Sequence, residues 1–213
     1  MNRPAPVQVL LHIDALRFAY PGEPPLVAGW SASIGAGVTL LHGDTGSGKS
    51  TLLRVLAGSL PAAGRLTLAG ARLDAQPRAY RHQVFFCDPA TDGFDTVTGR
   101  ACTATLREGD DGFDDARWQA LVDGFGLAPH LDKPMFMLST GSRRKVWLAA
   151  ALASARTLTL LDEPTAALDA GSIRCLWHHL GELATRPGHA IVVASSERID
   201  RLPLAGTLAL PPG

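Results

Sequence analysis

Cysteine is scarce in this sequence: Cys87, Cys102 and Cys175 are the only three in 213 residues. They stand far apart and in no metal-ligand spacing, which argues against a zinc site or a disulfide framework. Reduced thiols in a cytosolic setting are the expectation. Net charge is missing too. Twenty basic residues offset twenty acidic ones, so the basic excess of a nucleic-acid-binding domain is absent and no nucleic-acid partner is expected. One short basic run, Arg143-Arg144-Lys145, reads as a helix surface, with a polyanion site as the alternative. No apolar run approaches the roughly 18 residues of a membrane span. The opening residues, Met1 to Asp14, lack the long apolar core and cleavage signal of a leader. A role at a membrane therefore needs another chain to cross the bilayer.

What is present fits an ordered globular domain. Hydrophobic residues make up 46% and charged residues 19%, and apolar runs interrupt the many glycines and prolines throughout. The length suits one full hydrophobic core. Val7 to Ile13 and Leu16 to Tyr20 read as two strands separated by a polar break, and Leu26 to Ile34 as a third. Val38 to His42 is a short buried strand that runs into a glycine-rich loop and a helix from about Lys49 to Ala57. Arg65 to Leu68 and Val84 to Cys87 are further strands. From 88 to 141 the pattern changes to helix-compatible, partly acidic stretches such as Asp114 to Phe125, the mark of an inserted helical lobe. Helices over Ser142 to Ala155 and Ile173 to Ala184 then alternate with strands over Leu158 to Leu161 and Ala190 to Ala194, and Gly206 to Leu210 supplies an edge strand. This order indicates an α/β fold.

The strongest local signal is Gly43-Asp44-Thr45-Gly46-Ser47-Gly48-Lys49-Ser50, a complete P-loop pattern with a strand before it and a helix after it. Its glycines allow tight curvature and close phosphate approach. Amides from Gly46 to Ser50, at a helix start, suit an anion. Lys49 suits the β- and γ-phosphates of ATP, Ser50 offers a hydroxyl to Mg²⁺, and Thr51 supports the neighbouring phosphate. A glycine-rich turn before an ordinary helix is the bland alternative.

The second signal is the apolar strand Leu158 to Leu161 ending in Asp162-Glu163. Carboxyl ends of strands are where open α/β sheets hold ligands. Asp162 is the candidate carboxylate for Mg²⁺, acting through water, and Glu163 the candidate group that orients or activates attacking water. Taken alone, Asp-Glu is equally a polar strand cap; after a P-loop it gains meaning.

These two arms and the segments between them resemble the ATP-binding cassette (ABC) family over nearly the whole chain. The resemblance implies a single domain spanning 1–213: a P-loop NTPase core of ABC type with an N-terminal antiparallel β subdomain and a helical subdomain inserted at about 88–141. Leu138-Ser139-Thr140-Gly141 resembles the family's signature motif, in which Ser139 and Gly141 would bind the γ-phosphate held by an opposite cassette. Otherwise this stretch is only a helix N-cap. Where many relatives continue with a second glycine and a glutamine, this chain has Gly141-Ser142-Arg143. Pro164 to Asp169 resembles the stretch leading into the D-loop, with Asp169 acting across the dimer interface, or simply capping the next helix. Tyr20 fits the aromatic position that stacks on adenine. Phe18 shares its face by strand alternation, and core packing is the other role open to Tyr20.

Two positions depart from the family. Cys87 stands where relatives carry a glutamine that touches Mg²⁺ and water, with Gln83 and Asp88 nearby. Ser196 stands where relatives carry a histidine on the γ-phosphate, and His189 lies at the far end of that strand. The resemblance thus implies Mg²⁺-dependent ATP hydrolysis, with Lys49, Glu163 and Ser196 as the catalytic set and Ser50, Asp162 and Cys87 toward the metal. It implies a second cassette, in a homo- or heterodimer, and a separate transmembrane permease. The location implied is cytoplasmic, peripheral on the cytoplasmic face of a bacterial inner membrane. The compact length resembles bacterial exporter cassettes, including those of cytochrome c maturation. A low-turnover regulatory or assembly subunit is the alternative, on account of Cys87 and Ser196.

Overall fold

A computed structural model of the chain describes residues 8–210. Two sheets organise it. One is antiparallel and has the order β2-β1-β4-β5, built from β1 (Val9–Phe18), β2 (Val27–Gly35), β4 (Ala63–Leu68) and β5 (Ala71–Arg72). The other has five strands, β6 (Val84–Phe86), β7 (Leu158–Asp162), β8 (Ala190–Ser195), β3 (Gly37–His42) and β9 (Gly206–Ala209), in that spatial order and with every pair parallel. Strands β7, β8 and β3 are apolar almost end to end and nearly wholly buried, as parallel strands covered on both faces must be.

Alternation along these strands divides the core into two clusters. Leu41, Leu158, Leu160, Val192 and Ala194 pack with Leu52, Leu53 and Leu56 of α1 (Lys49–Leu56) and with the inner face of the antiparallel sheet. Phe85, Leu161, Ile191 and Val193 face the other way. They meet α5 (Thr140–Ala153) and α6 (Ala170–Leu183), whose Leu176, Leu180 and Leu183 are buried there. Between β6 and α5 the chain forms α3 (Gly99–Leu106), α4 (Asp115–Gly124) and two short 3₁₀ turns. Among the described residues this segment has no strand beyond an isolated bridge, Thr98 to Pro134. Its apolar side chains join the α5 cluster, so it has no separate core. Thr98, Asp114, Ser139 and Asp169 cap α3, α4, α5 and α6 by accepting a bond from a backbone amide three residues on.

The N-terminal strands differ from expectation. Val9 to Phe18 is one strand, not two, and Val7 lies outside the described residues. The polar break at Asp14-Ala15 is a bulge: pairing shifts register there against both neighbours, and Ala15 takes a positive φ of 49°. Its amide donates instead to Ser31 Oγ at 2.9 Å. The two-residue β5 and the six-residue α2 (Pro77–His82) escape sequence reading because neither is long enough to show a period. Proline at the start of α2 is the one local cue to it.

Tyr80 of α2 is fully buried, and its hydroxyl donates to the Leu56 carbonyl at 2.8 Å, tying α2 to the end of α1. Tyr80→Phe leaves that carbonyl without its partner. We expect a loss of about 1 kcal/mol in urea unfolding with an unchanged denaturant slope.

Candidate functional site

The register of the parallel sheet assembles the site. His42 pairs with Ser195, and Asp162 with Ala194, so Gly43, Glu163 and Ser196 all emerge at one carboxyl edge. Residues 43–48 then form a loop that ends in α1. Gly48 occupies the N-cap position with φ 90°, and no side chain caps the helix. A β-carbon on Gly48 would meet only the Leu26 side chain, which can shift, so the positive φ is what calls for glycine. Among the described residues the amides of Gly48, Lys49, Ser50 and Thr51 have no backbone partner. Four unpaired N–H groups at an uncapped helix start suit a phosphate group.

Lys49 is only 6% exposed, and its ammonium is fully engaged. Its Nζ donates to the Gly43 carbonyl at 2.7 Å and the Asp44 carbonyl at 3.0 Å, and lies 3.3 Å from Glu163 Oε1. The same carboxylate oxygen accepts a bond from the Ser196 amide at 2.9 Å. The Ser196 hydroxyl takes no part: its side chain is exposed, and the backbone supplies the contact. Glu163 adopts a φ of 42°, the left-handed region that a residue with a β-carbon seldom occupies.

Asp162 projects from the α1 face of β7, alternating with Leu161. Burial pushes its carboxyl above the usual range, and the nearby Ser50 hydroxyl draws it part of the way back. Its Oδ1 is buried without a protein partner. A buried carboxylate oxygen beside a serine hydroxyl matches the hard-oxygen donor set that Mg²⁺ takes together with phosphate oxygens. Ser50 and Asp162 therefore fit the cation.

Cys87 fits the cation poorly on chemical grounds. Continuing the register of β6 brings Cys87 level with Leu161 and packs it against the α5 cluster. It lines a cavity of about 30 Å³ whose walls include Phe85, Trp147 and Leu148 and also Arg144 and Asp162. Burial pushes the thiol up, so it stays protonated, and a neutral soft sulfur is a poor partner for Mg²⁺. The polar neighbours of Cys87 are engaged elsewhere. Asp88 is bound by Arg54 through Nε at 2.7 Å and Nη2 at 3.3 Å. Gln83 is spent on the Leu68 and Ala79 carbonyls and on Thr157. His189 sits at the start of β8, where burial brings its pKa down to about 4.

Tyr20 is separated from Phe18 by the structure. The strand ends at Phe18, which is buried, whereas Tyr20 is 44% exposed. The rings meet edge to face at 5.0 Å, and the Tyr20 hydroxyl lies 3.2 Å from Thr51 Oγ1. An exposed aromatic ring is thereby tethered to the helix that follows the loop.

The signature stretch lies apart from this cluster. Ser139 Oγ accepts the Ser142 amide at 3.1 Å, and neither Ser139 nor Gly141 bonds to residues 43–51 among the described residues. Gly141 touches the following loop instead: a β-carbon there would sit 2.4 Å from the Ala167 carbonyl oxygen. Asp169 caps α6 through Ser172 and accepts Lys145 Nζ at 2.7 Å. The basic run is not a solvated helix surface. Arg143 binds the Thr91 carbonyl and the Asp95 carboxylate, Arg144 the carbonyls of Asp162 and Glu163, and Lys145 Asp169 and the Phe125 carbonyl. These ties escape sequence reading because most of the acceptors are backbone oxygens, which leave no pattern in residue types.

Residues 29–166 match the ABC transporter family. A cytochrome c biogenesis ATP-binding export protein, CcmA, of Rhodospirillum rubrum is 39% identical over 89% of this chain and 81% of its own length. The zinc import ATP-binding protein ZnuC of Halorhodospira halophila is 37% identical over 75% of this chain and 57% of its own. Among solved structures, a putative ABC transporter ATP-binding protein from Pyrococcus furiosus superposes with a TM-score of 0.74, at 20% identity, over 94% of this chain and 96% of that one.

Two outcomes test this geometry. Gly141→Ala drives a methyl group into a backbone oxygen that cannot swing aside, and we expect a stability loss of about 1–3 kcal/mol in chemical denaturation. Asp169 is held below the usual carboxylate range by Lys145 first and then by the amide and hydroxyl of Ser172. A depressed folded value means that the charged form contributes stability above about pH 4, which is lost as pH falls toward the folded value. Asp169→Asn should therefore melt below wild type at neutral pH, and the gap should close as the pH drops below 4.

Proposed function

The chain belongs to the ABC transporter family, and we propose that it is the ATP-hydrolysing subunit of such a transporter, working as one of two cassettes that close around ATP. The observation that carries this reading is the convergence of four unpaired helix-start amides, buried Lys49, the Ser50–Asp162 oxygen pair and Glu163 at one sheet edge. In this reading the amides and Lys49 grip the phosphates. Ser50 and Asp162 hold Mg²⁺, which when bound would neutralise charge on the terminal phosphates. Tyr20 offers its ring to the adenine. Glu163 stays oriented by the Ser196 amide when Lys49 turns to phosphate, and so keeps its carboxylate toward the attacking water.

Ser139 and Gly141, at the start of α5 and without bonds to their own loop, serve the ATP of a second cassette. No described helix is long and apolar enough to cross a membrane. The motion therefore passes to a separate membrane subunit, from a cassette at the cytoplasmic face of the membrane. Relatives named for export in cytochrome c biogenesis and for zinc import both match three quarters or more of the chain. That breadth fits one engine serving different membrane partners.

A second reading, an ATP-gated subunit of low turnover, is favoured by one observation. Residue 196 offers Glu163 only its backbone, and Cys87 is a buried, protonated thiol, so neither side chain supplies the chemistry that relatives' histidine and glutamine would.

Mg²⁺-dependent ATP turnover by the purified chain separates the two. We expect Lys49→Ala to weaken ATP binding and abolish turnover. Glu163→Gln should retain binding while turnover falls by about 100-fold or more. Wild-type binding without turnover would leave the gated subunit as the correct reading.

A further inference from the structure

Three consecutive side chains at the start of α5 reach three different segments: Arg143 the loop after β6, Lys145 the cap of α6, and Arg144 the end of β7. Arg144 has the unusual target. Its Nη1 donates to the Asp162 carbonyl at 3.0 Å and also to the Glu163 carbonyl. These are the backbones of the two residues whose carboxylates the proposed chemistry uses. The corner between them is conformationally demanding, because Glu163 is held at φ 42° without being glycine. Backbone ties alone are few there: the Glu163 amide donates to Ala194 at 2.9 Å, and the Glu163 carbonyl accepts the Ala166 amide at 3.0 Å. Among the described residues no backbone amide outside the strand ladders donates to the Asp162 carbonyl. A half-buried guanidinium on a neighbouring helix supplies the missing donor.

We propose that Arg144 is a positioning residue for ATP turnover: by clamping both carbonyls it fixes the directions in which the Asp162 and Glu163 carboxylates leave the strand. It also links that corner to the signature stretch, because Arg144 rides on the helix that Ser139 caps and Gly141 opens. Movement of the signature end of α5 is thereby passed to the metal-facing and water-facing carboxylates of the same chain. The inference rests on the roles given above to Asp162 and Glu163. It goes beyond them in making their geometry conditional on α5.

The test compares Arg144→Ala and Arg144→Lys with wild type in steady-state ATP turnover, ATP binding and thermal melting. A misaligned carboxylate pair costs turnover rather than binding, since the phosphate loop is untouched. We expect kcat of Arg144→Ala to fall by about 10- to 100-fold, with the KM for ATP changed by less than about threefold. Arg144→Lys keeps the charge but loses the planar fork, and should fall between the two. Guanidinium ion at low, non-denaturing concentration should restore part of the Arg144→Ala turnover and none of that lost in Glu163→Gln. A folded, ATP-binding Arg144→Ala chain with wild-type kcat overturns the proposal. So does a loss of kcat that follows the loss of folded protein and is not rescued. If Arg144→Ala does not fold, Arg144→Lys decides on the same readouts.

Wild type without turnover refutes the hydrolysis reading separately. In that case the gain in ATP affinity on adding Mg²⁺ carries the test. It should shrink in Arg144→Lys while Mg²⁺-free affinity stays put, and an unchanged gain overturns the proposal.

Discussion

Parallel pairing of β3 with β8 and of β8 with β7 delivers three loops to one edge of the sheet, and the site depends on that alignment. A slip of one residue in β7 would exchange Asp162 with Leu161, sending the carboxylate to the α5 face and an apolar side chain toward Ser50. The sheet resists such a slip because its two faces are both filled. Leu158 and Leu160 lie in one apolar cluster and Leu161 in the other. The packing that stabilises the domain is therefore the same packing that aims its polar groups.

The second constraint is the charge on Lys49. Burying an ammonium without partners is costly, and breaking a buried pair leaves the surviving charge uncompensated. Lys49 meets this with two loop carbonyls and Glu163. The carbonyls bend the loop back over its own lysine and so preserve its curved form. Glu163 joins the loop to the end of β7, so the two arms of the site are electrostatically coupled before any phosphate arrives. A phosphate group entering this arrangement would compete with Glu163 for the ammonium. The Ser196 amide matters at that point, because it holds the carboxylate from the other side.

How much of this could be read from the chain varies with the kind of interaction. The loop at 43–50 was legible because phosphate binding needs particular residue types at particular spacings. The strand ending at Asp162 was legible because burial on both faces demands a continuous apolar run. The order of strands and helices after residue 84 followed from the same patterning. The bulge at Asp14-Ala15 looked like a break between strands, since a polar pair interrupts alternation in either case. Cys87 was aligned by position alone, and its face depends on the register of a three-residue strand that carries no period of its own. The basic run at 143–145 looked like a helix exterior because its partners are distant in sequence and mostly backbone. Residue types report on side-chain chemistry, and they are nearly silent about bonds made to carbonyl oxygens.

That silence also bears on the departure at residue 196. A histidine would bring a side chain with reach and charge to this position, and serine brings neither. Yet the contact that orients Glu163 belongs to the amide, which every residue except proline possesses. The hold on Glu163 is thus independent of the side chain at residue 196. Contact with a γ-phosphate would then fall to other groups, and two cations stand at this corner, Lys49 and Arg144. With the carboxylate held and Lys49 beside it, the arrangement proposed above to act on the γ-phosphate does not depend on a histidine at residue 196.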